Sequence, residues 1–234
     1  MGDIAEKIYS IAVDGPSGAG KSSLAKAIAA ELHILYVDTG AIYRTIGCYA
    51  RRKGVVETAD TEAIIALLPE VEIGMCYDAQ GLQHMLLHGE DVTEEIRLPE
   101  MSLYASAVSA IPEVRAFLLE MQRDFARKSS VIMDGRDIGT VVLPHADVKI
   151  FLKADVEVRA RRREIELQER GTPRPYKQVL EEMRQRDYND THRSAAPLRA
   201  AEDAVIVDTT RLNDLDFRQS KEKLLEIIRE KVGL

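Results

Sequence analysis

Eight residues near the start of the chain, Gly15-Pro-Ser-Gly-Ala-Gly-Lys-Ser22, fit the pattern G-x-x-x-x-G-K-[ST]. In such a loop, backbone N–H groups converge on an anion, and the glycines let the chain wrap it without Cβ clashes. Lys21 would add a positive charge for the outer phosphates of a bound molecule, and the Ser22 hydroxyl could reach Mg²⁺. The pattern therefore predicts a phosphate-binding loop.

The segments on either side of this loop have the composition that such a site needs. Residues 8–13 form a short apolar run typical of a strand, and residues 21–32 form an alanine-rich stretch typical of a helix. A glycine-rich turn can match the pattern by chance, but the order strand, loop, helix is the context of a phosphate site. This context favours phosphate binding over a chance match.

Two further segments place arginines where a second anion could bind. Asp38-Thr-Gly-Ala-Ile-Tyr-Arg44 follows a predicted strand and puts Arg44 near the start of a helix. Asp134-Gly-Arg-Asp-Ile-Gly139 offers Arg136 and Asp137 on a loop flanked by glycines. A guanidinium presents a planar fork of donors that suits a phosphate. An ordinary exposed arginine or a local ion pair would explain the same residues without a ligand.

A basic run on a predicted helix, Arg159-Ala-Arg-Arg-Arg163, carries three arginines on one face. Arg159, Arg162 and Arg163 share that face because they are three or four residues apart. Such a run is usually a solvated helix face. In an enzyme with a phosphate loop it could instead be a mobile lid that closes arginines over a transferring phosphoryl group. A second charged set follows on the next helix: Arg184, Arg186, Asp187, Asp190 and Arg193.

Composition argues against several classes of protein. A net charge of −7 disfavours a nucleic-acid partner bound by bulk attraction to phosphates. The chain has no apolar stretch of signal-peptide or membrane-span length, and its two cysteines indicate neither a disulfide framework nor a zinc site. It also lacks the N-K-x-D motif by which GTPase switches read guanine. We expect a cytoplasmic protein without a membrane or nucleic-acid partner, and, because no exposed apolar stripe demands a second chain, a monomer.

Apolar runs alternate with helical patterns along most of the chain, which predicts an α/β fold with a five-stranded parallel sheet flanked by helices. The predicted strands cover residues 8–13, 34–37, 131–133, 148–152 and 204–207. The predicted helices cover residues 21–32, 41–53, 112–128, 156–169, 176–191 and 215–231. Open α/β sheets build their sites at the carboxyl ends of strands, so Asp14, Asp38 and Asp134 are candidate site residues. Asp208 could equally be a strand terminator.

Residues 57–107 interrupt this alternation and predict a small α+β insertion on the edge of the main domain. Residues 71–77 and 82–87 flank a turn at 78–81, as expected for an antiparallel hairpin. Thr93 is placed to cap a short helix after the hairpin. We therefore expect a core formed by residues 1–56 and 108–234.

Five motifs together resemble those of bacterial cytidylate kinases, in the same order over nearly the whole chain. Three are the phosphate loop and the two arginine segments described above. The other two are Gly89-Glu-Asp-Val-Thr93 and Arg186-Asp-Tyr-Asn-Asp-Thr-His-Arg193, which is followed by Ala196-Pro-Leu198. The resemblance implies a P-loop kinase core, a helical lid at about residues 155–175 and a nucleoside-monophosphate-binding insertion at 57–107. It also implies that the γ-phosphoryl group of ATP is transferred to CMP or dCMP with Mg²⁺, giving ADP and CDP or dCDP.

The resemblance further implies a role for each residue that matches a motif. The residues expected to bind ATP are Gly15, Pro16, Ser17, Gly18, Ala19, Gly20, Lys21, Ser22 and Ser23, with Ser22 near Mg²⁺. The residues expected to bind CMP are Thr39, Arg44, Ser106, Arg115, Arg136, Asp137, Arg186, Asp190 and Arg193. Those expected to act on the transferring group are Lys21, Arg136, Arg159, Arg162 and Arg193. One departure is visible, since Thr39 stands where many relatives carry serine, but the hydroxyl is kept.

Two alternatives stay open from the residues alone. A phosphate-loop kinase for another small acceptor is favoured if Ser106, Arg115 and Asp137 do not converge. A nucleotide-dependent regulatory module needs no second phosphate pocket, so the set of arginines disfavours it.

Overall fold

The computed structural model describes residues 8–55, 60–98, 100–211 and 214–234. In chain order, the strands in these ranges are β1 (Ser10–Asp14), β2 (Leu35–Asp38), β3 (Ile73–Tyr77), β4 (Gln83–Leu87), β5 (Glu90–Asp91), β6 (Val131–Gly135), β7 (Val148–Lys153) and β8 (Val205–Asp208). The α-helices are α1 (Lys21–Leu32), α2 (Thr39–Arg52), α3 (Thr61–Leu67), α4 (Met101–Ser109), α5 (Pro112–Lys128), α6 (Val156–Glu169), α7 (Tyr176–His192) and α8 (Asp214–Val232).

The main sheet has five parallel strands in the order β2-β6-β1-β7-β8, which confirms the predicted fold. Its central strands are apolar because helices cover both faces. Ile11 and Val13 of β1 point into the core under α1 and α8, whereas Ala12 points into the core under α2, α4 and α5. This alternation is the two-residue period of a strand. The sheet is therefore buried on both sides, and its strand ends are left to form a site.

The register of the sheet aligns the carboxyl ends of three strands. Asp38 at the end of β2 pairs with Asp134 on β6, and Asp14 at the end of β1 pairs with Gly135. The segments that follow β1, β2 and β6 therefore start from the same rim of the sheet. All three aspartates that the sequence singles out lie on this rim.

A second sheet lies within the predicted insertion. It has three antiparallel strands in the order β3-β4-β5, which confirms the predicted hairpin. The prediction for Thr93 was wrong. Its hydroxyl accepts the N–H of Met85 on β4 at 2.9 Å, and the short 3₁₀ turn Glu95–Arg97 has no side-chain cap. The predicted boundary between residues 56 and 57 lies outside the described residues, so the division into domains stays a prediction.

The insertion contacts the edge of the main sheet through two polar side chains. The Tyr77 hydroxyl donates to the carbonyl oxygen of Tyr36 on the edge strand β2 at 2.8 Å. The Gln83 amide accepts the N–H of Asp38 at 2.7 Å and donates to its carbonyl oxygen at 3.3 Å. An edge strand leaves such groups without a strand partner, and these side chains provide one. The contact fixes the insertion beside the rim that carries Asp38.

Helices α6 and α7 form an antiparallel pair with a small core of its own: Ala160, Leu167, Val179 and Met183. Helix α6 and the bend after it match the helical segment predicted at about residues 155–175, and α7 follows that segment. The action of that segment as a lid stays a prediction. Within the described ranges, no helix is both long enough and apolar enough to span a bilayer.

Candidate active site

The predicted phosphate loop joins the end of β1 to the start of α1. Gly18 and Gly20 have φ angles of 73° and 88°, in the left-handed region that favours glycine. A Cβ atom on Gly15 would lie 2.3 Å from the carbonyl oxygen of Leu152 on β7, so only glycine fits there. The loop thus turns tightly in front of the α1 N-terminus, where free N–H groups are suited to an anion. The other residues predicted to bind ATP lie on the same loop or the first turn of α1: Pro16, Ser17, Ala19, Lys21, Ser22 and Ser23.

The Lys21 side chain is buried against this loop. Its Nζ atom donates to the carbonyl oxygen of Pro16 at 2.8 Å. Burial, together with the positive charge of Arg136, lowers the pKa of Lys21 to about 7. A phosphate bound in the loop would counter both effects, because a nearby negative charge favours the protonated amine. The lysine is placed to bind an anion rather than to pair with a carboxylate.

A polar cluster at the ends of β6 and β2 adjoins the loop. The Asp134 carboxylate accepts from the Ser22 hydroxyl at 2.7 Å and from the Tyr36 hydroxyl at 3.0 Å. Burial and the charge of Asp38 raise the pKa of Asp134 above its ordinary value. Thr39 is also buried, and its hydroxyl donates to the carbonyl oxygen of Asp134 at 2.7 Å. These contacts join the start of α1, the start of α2 and the end of β6.

Arginines from three segments point toward the same rim, each paired with a carboxylate. The pairs and their N–O distances are Arg44–Asp38 (2.8 Å), Arg136–Asp190 (2.8 Å) and Arg193–Asp137 (3.2 Å). Asp38 also caps α2 by accepting the N–H of Ala41 at 2.9 Å. Burial raises the pKa of Asp190, but the charges of Arg136 and Arg186 outweigh this effect and hold the pKa below its ordinary value. Paired in this way, the guanidinium groups are held in fixed orientations and keep donors for a ligand.

Asp137 is shared by two arginines. Besides Arg193, it accepts a short hydrogen bond from Arg115 of α5. Both arginines also donate to Ser109 at the end of α4: Arg115 to its carbonyl oxygen at 3.2 Å, and Arg193 to its hydroxyl at 3.3 Å. Ser106 lies one turn earlier on α4, where its carbonyl oxygen accepts from the Ser109 hydroxyl at 3.0 Å. Arg115 and Asp137 therefore converge, with Ser106 on the adjacent helix turn.

Arg186 differs from the other arginines of this rim. Within the described ranges it makes no hydrogen bond or ion pair, and its Nε atom is buried without a partner. Burial and the charge of Arg136 lower the pKa of Arg186 to about 10. An unpaired guanidinium in such surroundings is costly unless it meets an anion. Arg186 therefore marks a place where a bound phosphate would be stabilised.

The α6 arginines reach the same end of the sheet from the other side. Arg159 is buried, donates to the carbonyl oxygen of Ser17 in the phosphate loop at 3.0 Å and pairs with Asp187 of α7. Arg162 donates to the carbonyl oxygen of Thr209, just after β8. Both arginines thus contact the protein around the loop, Arg159 buried and Arg162 partly exposed.

Sequence patterns missed three residues of this site. Ser109, Tyr36 and Gln83 contact Arg193, Asp134 and Asp38, respectively. None lies in a recognised motif, and each contact joins segments far apart in the chain. Asp208 agrees with the strand-terminator interpretation, because its exposed carboxylate accepts the N–H of Thr210 in the turn after β8.

Taken together, the rim carries two neighbouring groups of donors whose chemistry suits an anion. One is the phosphate loop with Lys21. The other is the arginine set, formed by Arg44, Arg115, Arg136, Arg186 and Arg193. Two of its members, Arg136 and Arg186, are close enough to Lys21 to lower its pKa. Such an arrangement can hold two phosphorylated molecules with their phosphates facing each other and can stabilise negative charge between them.

Comparison with known proteins agrees with this geometry. The sequence profile of the family described as cytidylate kinase matches residues 11–230. The chain is 47% identical to the cytidylate kinase of Caldicellulosiruptor saccharolyticus, over 97% of this chain and 98% of that protein. It is also 47% identical to the cytidylate kinase of Carboxydothermus hydrogenoformans, over 94% of this chain and 97% of that protein. A solved structure of an uncharacterized protein from Eubacterium ventriosum shares the fold, with a TM-score of 0.50 and 16% identity over 96% of this chain and 99% of that one. The chain therefore belongs to the cytidylate kinase family.

Proposed function

We propose that this protein transfers the γ-phosphoryl group of ATP to CMP or dCMP, giving ADP and CDP or dCDP. The observation that carries the proposal is the meeting of Lys21 with the arginine set at one rim of the sheet. A nucleotide switch needs only the first of these groups, whereas a transferase needs both. The names of the relatives, cytidylate kinases, support CMP as the acceptor.

The donor would bind at the phosphate loop, with residues 15–23 around its phosphates. Mg²⁺ prefers oxygen ligands and is commonly held by one or two carboxylates together with substrate phosphates. The Ser22 hydroxyl and the Asp134 carboxylate, 2.7 Å apart beside Lys21, fit this donor set and would hold the ion. When bound, Mg²⁺ would neutralise charge on the outer phosphates of ATP.

The acceptor would bind between the arginine set and the insertion at residues 57–107. Arg44, Arg136 and Arg193 would hold the phosphate of CMP, and Arg186 and Asp190 would reach the phosphate and the sugar. Thr39 would support these residues from within the rim, because its hydroxyl already donates to the carbonyl oxygen of Asp134.

The cytosine base would meet Asp137, Arg115 and Ser106. Its N4 amine is a donor, and its N3 and O2 atoms are acceptors, so a carboxylate beside a guanidinium matches both kinds of group. Uracil inverts the pattern at N3 and position 4, so it should bind less well. Burial raises the pKa of Asp137 above its ordinary value, although Arg115 and Arg193 counteract this shift.

Catalysis would depend on positioning and charge stabilisation. The phosphate of CMP is already an anionic nucleophile, so no histidine or carboxylate base is needed. Lys21, Arg136 and Arg193 would stabilise the negative charge that spreads over the transferring oxygens. Arg159 and Arg162 would join them when the α6–α7 pair closes as a lid and excludes water.

ADP release from ATP and Mg²⁺ tests the proposal, with CMP, dCMP, UMP, AMP and GMP offered one at a time. CMP and dCMP should stimulate release most strongly, and UMP more weakly. Stimulation by another acceptor alone would favour the second candidate, a phosphate-loop kinase for a different small molecule. If no monophosphate stimulates release, CMP kinase activity is ruled out.

A further inference from the structure

Asp14 is a buried carboxylate for which the proposed reaction has no use. It is the last residue of β1 and directly precedes Gly15, yet its side chain bonds a segment that begins 124 residues further along the chain. One carboxylate oxygen accepts the N–H of Ile138 at 2.7 Å, and the other accepts the N–H of Gly139 at 2.8 Å. Only 4% of its surface is exposed. A charge is seldom buried so deeply unless it holds something in place.

The segment that Asp14 holds is a single turn of π-helix, Ile138–Val142. In this turn, the N–H of Val142 donates to the carbonyl oxygen of Asp137 at 3.2 Å, and the N–H of Leu143 donates to the carbonyl oxygen of Ile138 at 2.7 Å. Such i→i+5 turns are rare, and they are often found at functional sites. The first N–H groups of any helix lack partners within the helix, and here the Asp14 carboxylate accepts two of them.

The other end of the same turn is held by Arg123 of α5. Its guanidinium donates to the carbonyl oxygens of Val142 at 3.0 Å and Val141 at 3.2 Å. A carboxylate thus binds the free N–H groups at one end, and a guanidinium binds the free carbonyl groups at the other. Two side chains from distant parts of the chain fix this short turn between them.

The position of the turn gives these contacts a consequence for the site. Arg136 and Asp137 lie between the end of β6 and the π-turn, so their backbone is anchored on both sides. We propose that Asp14 is a positioning residue, which locks the Arg136–Asp137 loop in register with the phosphate loop and so sets the spacing between acceptor and donor. The inference rests on the proposed function, because it assigns that loop to the acceptor.

The charge state of Asp14 offers an independent readout. Burial raises the pKa of Asp14 to about 6, although the two backbone N–H groups oppose the shift. The charged groups that act on it are Asp137 before the π-turn and Lys21 of α1. The stem of Lys149 on β7 packs beside Gly139, and its ammonium pairs with Asp203. A protonated Asp14 keeps one good acceptor oxygen instead of two, so the loop should loosen below about pH 6. Because its folded pKa lies above its ordinary value, protonating Asp14 does not lower the stability of the fold.

The experiment compares Asp14→Asn with Arg123→Gln and with a matched core variant, Ile28→Val. In Asp14→Asn, an amide N–H₂ group faces one of the two backbone N–H groups, so one hydrogen bond is lost and two donors oppose each other. We expect kcat/KM for the acceptor to fall on the order of 10- to 100-fold, the cost of a misplacement of about 1 Å, with KM for ATP nearly unchanged. Arg123→Gln should act in the same direction with a smaller effect. Ile28→Val, a change on the buried face of α1, should leave both constants within about twofold while lowering the melting temperature.

Hydrogen exchange gives a readout that does not depend on turnover. Amide protection at residues 138–143 should fall in Asp14→Asn and in Arg123→Gln but not in Ile28→Val. Wild-type kcat/KM should also decline more steeply below pH 6 than that of Asp14→Asn, since titration of the acceptor phosphate affects both proteins equally.

Equal losses for ATP and acceptor in Asp14→Asn, or an unchanged acceptor constant, would overturn the positioning role. If Asp14→Asn does not fold, unchanged acceptor kinetics in Arg123→Gln would overturn it as well. Failure of the proposed function is seen separately, as absence of CMP turnover in the wild type. The variant-to-wild-type ratio is measured with whichever monophosphate the wild type accepts, and the exchange data need no substrate.

Discussion

The phosphate loop and the arginine set, for which we propose the same chemical group as ligand, are built in different ways. The loop is one continuous segment that offers backbone N–H groups and a single lysine. The arginine set draws on four segments, and most of its guanidinium groups are held by carboxylates. A loop of this kind needs little support beyond its own glycines. The arginine set depends on contacts across the whole fold, so changes well outside it should alter acceptor binding but spare donor binding.

The largest expected effect tests the loop itself. Lys21→Met should reduce kcat by about 10²- to 10³-fold, the usual cost of removing one donor that stabilises transition-state charge. The melting temperature should not fall, because the lost ammonium is buried and its pKa is already lowered to about 7. Steady-state kinetics and thermal unfolding measure the two outcomes. Lys223→Met, an exposed change on α8, is the control and should stay near wild type. Comparable activity in the two variants would show that Lys21 and its loop do not take part in catalysis.

The second prediction separates activity from stability within the arginine set. Arg186→Met should lower kcat/KM for CMP by about 10²-fold through loss of a donor to the transferring charge. The same change should stabilise the fold, because the buried Nε atom of Arg186, which lacks a partner, is replaced by part of an apolar chain of similar length. A gain of about 1 kcal/mol would raise the melting temperature by about 2–4 °C.

Arg184→Met is the control for this prediction, since Arg184 lies on the same helix, is exposed and pairs with Glu157. It should change neither quantity appreciably. A fall in melting temperature for Arg186→Met would mean that Arg186 is a structural residue, and the contrast with the paired arginines would not hold.

Sequence patterns predicted the phosphate loop completely because all its determinants are local. The strand, the glycines, the lysine and the helix lie within about two dozen consecutive residues, and each has its own signature. The parallel sheet was equally accessible, since alternating apolar runs and helical patterns admit few topologies. The short π-turn had no such signature. Its first N–H groups bond Asp14, which lies 124 residues away from Ile138 along the chain.

The contacts of the arginine set could not be predicted from spacing for the same reason. Asp137 pairs with arginines that are 22 and 56 residues away, and Arg136 pairs with a carboxylate 54 residues away. Resemblance to a family identified most of these residues, but it did not indicate which of them pair with each other. Which carboxylate holds which guanidinium follows only from the folded sheet and from the position of α7 beside it.

The third prediction concerns the contact between the insertion and the sheet edge. Gln83→Leu removes the side chain that pairs with both backbone groups of Asp38, the residue that holds Arg44. Leaving that N–H without a partner should cost about 1–3 kcal/mol of stability. KM for CMP should rise severalfold, and KM for ATP should not change. Gln80→Leu, an exposed change in the same hairpin, is the control. An equal rise in both KM values would show that the insertion affects the whole site rather than the acceptor side.

The smallest expected effect distinguishes two serines on α4. Resemblance assigns the contact with the base to Ser106, whereas the structure shows the Ser109 hydroxyl accepting from Arg193 at 3.3 Å. Ser109→Ala removes one neutral acceptor from a guanidinium that keeps Asp137 and the carbonyl oxygen of Ala196. KM for CMP should therefore rise only about two- to fivefold, in line with a net hydrogen-bond contribution of about 0.5–1 kcal/mol. Because Ser109 acts through the arginine, the preference for CMP over UMP should be unchanged. Ser106→Ala should instead narrow that preference if its hydroxyl meets the base. The ratio of kcat/KM for CMP to that for UMP, measured in both variants, shows which serine contacts the base. A lower ratio in Ser109→Ala alone would mean that Ser109, and not Ser106, makes this contact.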